Sequence, residues 1–435
     1  MHNKIGIVTT TSLVISSMIG TGVFTSLGYQ VVDIKTGFSI IFLWLLGGVV
    51  AFCGAVSYAE LGSVFKRSGG EYQLLRSIYH PSLGFVAGWV SVTVGFAAPA
   101  ALAAMALAAY LSSIFPGIPT DHIAAASILL LGFIHGTSLK WGVALQDITT
   151  VLKVALILGF VVFGLTYEFP QTVELLPKSK SIDEILSPPF AVSLIYVAYA
   201  YTGWNSSIYV VDEIQNPIKN LPWSLFLGTV LVTGLYVLLN YVFLYTVPIS
   251  ELAGQIEVGF LSGKAIFGDL GGLIMAVFIS FLLVSTVSAY VFLGPRVSKV
   301  MGEDFNVLRL LSRVNGKGIP VNAFAFSTAL SLIFIYTSTF EQVLLYTSFL
   351  LVLITTLTVG GLFVIRIRQG NPKTDGYRTW GYPITPLIFV LINLWTLIFV
   401  FYNRPSEGLI SVAILGIGLL IYFLVEKSGV QSRES

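Results

Sequence analysis

Apolar runs long enough to cross a lipid bilayer recur along almost the whole chain. One crossing takes about 20 mostly apolar residues in helical form. Hydrophobic residues make up 55% of the 435 positions and charged residues 10%, with a mean hydropathy of +0.88. Hydrocarbon offers the backbone no hydrogen bonds, so each crossing segment has to satisfy its own polar groups, as an α-helix does. The sequence therefore predicts an all-α, multi-span membrane protein.

We count twelve runs of this kind and expect twelve transmembrane helices. The third run is too long for one crossing at normal tilt, so we expect it to include an interfacial end, and the fourth run is short. The expected bounds are roughly 5–26, 37–61, 83–113, 122–137, 143–166, 190–210, 222–247, 271–295, 320–339, 343–366, 383–401 and 407–425.

The distribution of Lys and Arg predicts the orientation, because positive charges near span ends are retained on the cytoplasmic side. With both termini in the cytoplasm, the basic residues on the opposite side are only Lys35, Lys178, Lys180, Lys264 and Arg404. This asymmetry favours cytoplasmic termini. The net charge is +2 and the basic residues are scattered over short loops, so we expect no nucleic-acid partner.

The spans fall into two similar sets of five, each of which opens with a helix interrupted by small residues. This plan is typical of inverted repeats, whose equivalent broken helices meet near the bilayer centre. We expect a first repeat over 1–166, an extracellular loop over 167–189, a second repeat over 190–366, and the last two spans with a cytoplasmic C-terminus over 367–435.

The two interruptions, residues 18–22 and 201–205, lie at corresponding places in the two sets. Uncovered N–H groups and the positive end of the helix that follows make the first break suitable for a carboxylate. Carbonyl oxygens before the second break suit an ammonium group. Close packing of helices through small residues is the alternative at the first break. Together the breaks fit an α-amino acid, and the predicted substrate site comprises Ile19, Gly20, Thr21, Gly22, Tyr199, Ala200, Tyr201, Thr202 and Gly203.

Three aromatic residues, Tyr199, Tyr201 and Trp204, surround the second break near the middle of its span. Aromatic rings can close over a bound solute while they contribute apolar contact. Packing between helices is the alternative role. We predict a gate formed by Tyr199 and Trp204.

Lys153 lies near the centre of an apolar span, about 15 Å from either end at 1.5 Å per residue. An ionisable residue at such depth indicates a functional site, although a snorkelled or simply paired lysine is the alternative. Its ammonium group could replace a bound sodium ion, or it could carry a proton. Ser285, Thr286 and Ser288 offer hydroxyls to such a site, unless they bond to their own helix. The sequence leaves both mechanisms open.

Enzymatic chemistry finds no support in the sequence. The four histidines show no metal-ligand spacing, and HExxH, GxSxG and P-loop patterns are absent. No Asp or Glu lies deep in a span, and Glu60, at a span end, is expected to face the cytoplasmic interface. We therefore predict no catalytic residue, no metal and no cofactor.

Short motifs follow one another along the chain in a recognisable order. They are Ile19-Gly20-Thr21-Gly22-Val23-Phe24, Ser57-Tyr58-Ala59-Glu60-Leu61-Gly62, Arg67-Ser68-Gly69-Gly70-Glu71-Tyr72, Gly203-Trp204-Asn205, Asp212-Glu213 with Asn216-Pro217 and Asn220-Leu221-Pro222, Gly294-Pro295-Arg296 and Gly381-Tyr382-Pro383. In this order they resemble the amino acid, polyamine and organocation (APC) transporter superfamily over essentially the whole chain. With Lys153, the Gly-Trp-Asn motif looks most similar to the bacterial relatives of the L-type amino acid transporters.

The resemblance implies a five-plus-five inverted-repeat (LeuT-like) fold with helices 1 and 6 discontinuous and two added C-terminal helices. It implies substrate held at the two breaks, a gate at Tyr199, alternating access, and Lys153 in place of a sodium site. This chain differs from the animal L-type members of the superfamily in two ways. Animal L-type members often have Gly where Thr202 stands, and the loop at about 114–121 lacks the cysteine that links them to a heavy subunit. We therefore expect no disulfide-linked heavy subunit.

These observations lead to one functional hypothesis. We expect a sodium-independent exchanger or uptake permease for neutral L-amino acids in the plasma membrane, the inner membrane of a bacterium, with the lipid bilayer and a small-molecule amino acid as its partners. The alternatives are a proton-coupled symporter that uses Lys153, a transporter of cationic amino acids or polyamines, and a sensor that binds amino acids without moving them.

Overall fold

The computed structural model describes residues 4–65, 69–115, 117–137, 141–316, 318–369 and 376–427. Regular structure in these residues is helical, apart from one isolated β-bridge between Ile5 and Ile214. The α-helices α1 to α18 run, in chain order, over Ile7–Met18, Thr21–Asp33, Gly37–Val64, Gly70–Ile78, Pro81–Val90, Ala97–Ser112, Thr120–Thr137, Trp141–Leu165, Ser179–Ile185, Pro188–Tyr201, Pro217–Thr246, Ile249–Leu252, Val258–Asp304, Arg309–Ser312, Val321–Thr337, Phe340–Gln369, Ile384–Asn403 and Pro405–Lys427.

The predicted all-helical, multi-span class is confirmed. In the described residues, eight helices or helix pairs are long and apolar enough to cross a membrane, and a bent pair that includes Pro188–Glu213 makes up to nine. Three shorter apolar helices cover 120–136, 151–165 and 321–337. The count of twelve spans, the repeat boundaries and the membrane orientation stay predictions. Arg67 and Ser68 of the third motif, and residues 428–435, lie outside the described residues.

The helices differ in how much of their surface faces the protein. Of the 18 most apolar consecutive residues in the segment that contains α5 and α6, 83% are buried. In α18 the buried share of the corresponding stretch is 22%. The alanines of α6 allow close approach of α13, and α3 packs against α11 at Gly48, where a Cβ would lie 2.3 Å from Thr233 Cγ2. The centre of the bundle is therefore built on small residues, and α18 is a peripheral, lipid-facing helix.

Two spans contain features that the sequence did not predict. The third predicted span contains a π-helical turn, Ser91–Gly95, between α5 and α6. The eighth is part of the 47-residue helix α13, which begins at Val258, kinks at Gly268 with φ +75°, and continues to Asp304. The stretch after residue 295 therefore extends this helix, because its N–H groups still find carbonyl partners one turn back even though the side chains become polar.

Glu60 does not face the interface as the sequence suggested. It is only 1% exposed, and its carboxylate accepts two hydrogen bonds of 2.9 Å from the Arg366 guanidinium and one of 2.7 Å from the Thr379 N–H. The Arg366 guanidinium also lies 4.5 Å from the ring centroid of Tyr382. These contacts offset the cost of removing both charges from water, and they tie α3 to α16 and to the segment before α17.

Removal of one partner of this ion pair leaves a buried charge unpaired. We expect Arg366→Met to lower the free energy of unfolding by about 3 to 5 kcal/mol. Lys178→Met is the matched control, because it breaks the ion pair of Lys178 with Glu174, whose side chains are 64% and 46% exposed, and exposed pairs contribute at most about 1 kcal/mol. Denaturant unfolding in mixed micelles measures both, and equal losses would contradict the assigned role of Arg366.

Candidate functional site

The first span is interrupted between α1 and α2. α1 ends at Met18 and α2 begins at Thr21, while Ile19 with ψ 92° and Gly20 with φ −135° and ψ −149° leave the helical region. No side chain caps the N-terminus of α2. The first N–H groups of a helix have no partner within it, so this end of α2 presents backbone donors and a partial positive charge.

The second interruption follows α10, which ends at Tyr201. Thr202 has ψ 137°, Gly203 has φ +106°, and the chain resumes as a 3₁₀ helix over Ser206–Glu213. A Cβ at Gly203 would lie 2.5 Å from the Ser17 carbonyl oxygen. Position 203 therefore requires glycine for two reasons: the positive φ of the backbone and the close contact with the end of α1.

The two interruptions are neighbours in space. A Cβ at Gly22 would lie 2.5 Å from Ala200 Cα, so α2 and α10 touch backbone to backbone. Gly20, by contrast, has no atom nearer to its Cβ position than Thr286 Cγ2 at 3.8 Å. The structure thus brings Gly22 of the first break against Ala200, and Gly203 of the second break against the end of α1.

Tyr236 of α11 joins the two breaks, and the sequence reasoning missed it. Its buried hydroxyl donates to the Met18 carbonyl at 2.7 Å and lies 3.2 Å from the Ala200 carbonyl. Both carbonyls belong to the last turns of the helices that precede the breaks, where intrahelical donors run out. A tyrosine in the middle of an apolar run was the available signal, since its hydroxyl needs a polar partner in hydrocarbon.

Thr21 adds a polar side chain at the start of α2. It is 3% exposed, and its Oγ1 has no hydrogen-bond partner among the described residues. A buried hydroxyl without a partner costs free energy, and a ligand that accepts or donates one hydrogen bond there would recover it. The predicted contact of Thr21 with the substrate would satisfy this hydroxyl.

The aromatic residues of the second break differ in their surroundings. The Tyr201 hydroxyl donates to the Trp44 carbonyl at 2.9 Å, and the rings of Tyr201 and Trp44 lie 6.2 Å apart. These contacts direct the Tyr201 side chain towards α3. Tyr199 is 6% exposed and lies two residues earlier on α10.

Trp204 packs into the interface of α3 and α17. Its ring meets Tyr58 edge to face at 4.8 Å between centroids and Phe389 at 5.8 Å. Such contacts anchor the turn after Gly203. The gating roles of Tyr199 and Trp204 stay predictions.

Lys153 lies on α8 and is 4% exposed. Its Nζ is 3.4 Å from Thr286 Oγ1 on α13, and Thr286 is the residue that faces Gly20. In the part of the chain that the structure describes, no carboxylate forms an ion pair with Lys153. Thr286 therefore connects a deeply placed ammonium group to the first break, while its own hydroxyl donates to the Leu282 carbonyl at 3.1 Å.

The other two predicted hydroxyls on α13 are buried as well. Ser288 Oγ lies 2.7 Å from His135 Nε2 of α7, and the edge of the His135 ring contacts Phe292. Ser285 is 2% exposed. His135 is a second residue that the sequence reasoning did not single out, because metal-ligand spacing was the only property tested for the histidines.

Comparison with known proteins gives one family and a set of full-length relatives. Residues 5–422 match the profile of a family described as amino acid permease. The b(0,+)-type amino acid transporter 1 of Mus musculus is 25% identical over 98% of this chain and 88% of its own length. The large neutral amino acids transporter small subunit 2 of Oryctolagus cuniculus is 26% identical, over 98% and 80%.

The contact of Gly22 with Ala200 predicts a measurable asymmetry between glycines. We expect Gly22→Ala to lower the free energy of unfolding by about 1 to 3 kcal/mol, the usual cost of overpacking a close contact. Gly234 of α11 has nothing within 4 Å of its Cβ position, so Gly234→Ala should raise stability by about 0.5 to 1 kcal/mol through helix propensity. Denaturant unfolding of the two variants measures both effects, and a neutral Gly22→Ala would contradict the contact.

Proposed function

The chain belongs to the amino acid permease family, and on that premise we propose that it transports neutral L-amino acids across the plasma membrane without sodium. In the proposed cycle the substrate site faces the two sides of the membrane in turn, and the two sets of five spans move relative to each other. We propose no catalytic activity, because the relatives of this chain carry the names of transporters.

The contact between the two helix breaks carries the proposal. The uncapped N-terminus of α2 supplies donors and partial positive charge for a carboxylate. The carbonyl end of α10 supplies acceptors for an ammonium group, since each carbonyl oxygen has two lone pairs and Tyr236 uses one. The proposed substrate site is formed by Ile19, Gly20, Thr21, Gly22, Tyr199, Ala200, Tyr201, Thr202 and Gly203, with Tyr199 as its gate.

A neutral side chain is favoured by the distribution of acids. The buried glutamates of the described residues are Glu60, Glu71 and Glu407. Glu60 is paired with Arg366 and Glu407 lies on the peripheral helix α18. Glu71 already accepts hydrogen bonds from three side chains. None of these carboxylates is available to a cationic side chain, so cationic amino acids and polyamines are the weaker candidates.

Ligand binding to the purified protein tests this part of the proposal. A ligand that binds only the folded state stabilises it by about 2.7 kcal/mol at a hundred times its Kd. In a thermal-shift screen of the twenty amino acids, we expect amino acids with neutral side chains to raise the melting temperature equally with and without sodium. We expect Asp, Glu, Lys and Arg to leave the melting temperature unchanged. A shift that requires sodium, or that only Lys and Arg produce, would contradict the proposal.

Lys153 and Thr286 support sodium independence. An ammonium group beside the first break occupies a place where a bound cation could brace α1, α8 and α13, and it requires no ion from solution. The same buried lysine could instead exchange a proton in each cycle, so a proton-coupled symporter is the second candidate.

We expect Lys153→Ala to lower amino acid exchange in proteoliposomes by about tenfold or more, within the usual range of coupling between two sites. Lys219→Ala removes an exposed lysine before the seventh predicted span and is the matched control. The melting temperature of each variant checks its fold. Unchanged exchange by a folded Lys153→Ala would refute the assigned role.

Counterflow separates the remaining candidates. Exchange that needs internal amino acid and ignores a pH gradient excludes the proton-coupled version, and uptake that follows the gradient supports it. Accumulation of labelled leucine or alanine in vesicles excludes a sensor that does not transport.

We also propose that no heavy subunit is disulfide-linked, because the one cysteine of the chain, Cys53, is buried within α3 at 2% exposure.

A further inference from the structure

A buried carboxylate lies beside the second break, on the side of the membrane where the N-terminal segment lies. Glu71, at the start of α4, is 5% exposed. Its Oε1 accepts from the Tyr58 hydroxyl at 3.0 Å and from Asn205 Nδ2, and its Oε2 accepts from the Tyr209 hydroxyl. We call Tyr58, Glu71, Asn205 and Tyr209 the Glu71 cluster.

The three donors of the cluster come from different parts of the fold. Tyr58 belongs to α3, Asn205 to the turn of the second break, and Tyr209 to the 3₁₀ helix that follows it. The backbone before Glu71 is shaped for this contact. Gly70 has φ +59°, and a Cβ there would lie 2.2 Å from the Tyr209 ring, so only glycine allows α4 to approach so closely.

The cluster controls the position of the second break. Asn205 is two residues from Gly203, which rests on the Ser17 carbonyl of α1. At the other end of the 3₁₀ helix, Ile5 donates to the Glu213 carbonyl and accepts from the Gln215 N–H, both at 2.9 Å. Movement of the 3₁₀ helix away from α3 and α4 has to break the hydrogen bonds of Asn205 and Tyr209 to Glu71.

A charged carboxylate makes these bonds strong. Hydrogen bonds to ionised groups are about twice as strong as neutral ones. Burial of the charge without them would be costly, so the closed arrangement depends on all three donors. None of the residues of the cluster other than Asn205 lies in either interruption.

We propose that Glu71 is a positioning residue of the transport cycle. Its carboxylate holds the 3₁₀ half of the broken span against α3 and α4, next to α1, and this contact closes the predicted cytoplasmic side of the substrate site. Weakening of the contact shifts the population towards the state that is open on that side. The inference rests on the proposed alternating access, but it concerns the equilibrium between two conformations and not the identity of the substrate.

The test uses cysteine accessibility in the purified protein without any amino acid. Cys53→Ala removes the native thiol, and Ser207→Cys places a reporter between the 3₁₀ helix and α1, where Ser207 is 0% exposed and bonds to the Thr10 carbonyl at 3.4 Å. We expect Glu71→Gln, which keeps the shape but removes the charge, to raise the rate of maleimide labelling about tenfold, the change expected from weakening hydrogen bonds to a charged group.

Asp304→Asn is the matched control. Asp304 accepts from the Tyr72 hydroxyl at 2.8 Å, so this variant weakens a tyrosine–carboxylate bond between α4 and α13 that does not involve the broken span. It should leave the labelling of Ser207→Cys unchanged. A second reporter, Ser193→Cys, lies buried in α10 before the break and detects general loosening. Glu71→Gln should not raise its labelling.

Tyr209→Phe and Tyr72→Phe form a second pair in case Glu71→Gln does not fold. Each removes one hydroxyl, and only Tyr209→Phe should raise labelling at Ser207→Cys. Labelling of that reporter at the parent rate in both Glu71→Gln and Tyr209→Phe overturns the inference, as does an equal rise at both reporters. The thermal-shift screen fails or succeeds independently, so a wrong substrate assignment cannot be mistaken for a wrong role of Glu71.

Discussion

The need of every backbone polar group for a partner in hydrocarbon governs this structure. A helix that stops at membrane depth leaves carbonyl groups on one side of the gap and N–H groups on the other. The Tyr236 hydroxyl meets the carbonyls of Met18 and Ala200 together, from a third helix. The N–H groups at the start of α2 have no side-chain cap. In the proposed site the uncapped N–H groups would bind the carboxylate of the substrate, and the acceptor capacity that Tyr236 leaves on the carbonyl groups would bind its ammonium group.

The same interruptions bring formal charges close to backbone dipoles. Lys153 reaches the first break through Thr286, and Glu71 reaches the second through Asn205. The proposed substrate site lies between them. A positive group would thus brace the first break through Thr286, and a negative group would brace the turn that follows Gly203.

Sequence patterns were informative where a residue has few structural options. The order of the motifs identified the family, and the family is confirmed by the match over residues 5–422. Gly22 and Gly203 were singled out as small residues at interruptions, and both lie in contacts that a Cβ would prevent. Glu60 was placed at the interface and Tyr236 was overlooked. Their partners are 306 and 218 positions away in the chain, and no local pattern contains such a distance.

The sequence by itself determined that this chain is a helical membrane protein, because long apolar runs are costly to expose to water, and the order of its motifs identified the amino acid permease family. Tertiary structure alone decided which polar groups meet. Apolar length fixes where a helix can lie but not which of its faces turns inward, so the pairing of Glu60 with Arg366, of Tyr236 with two carbonyls, and of Glu71 with three donors depended on the packing of helices distant in sequence.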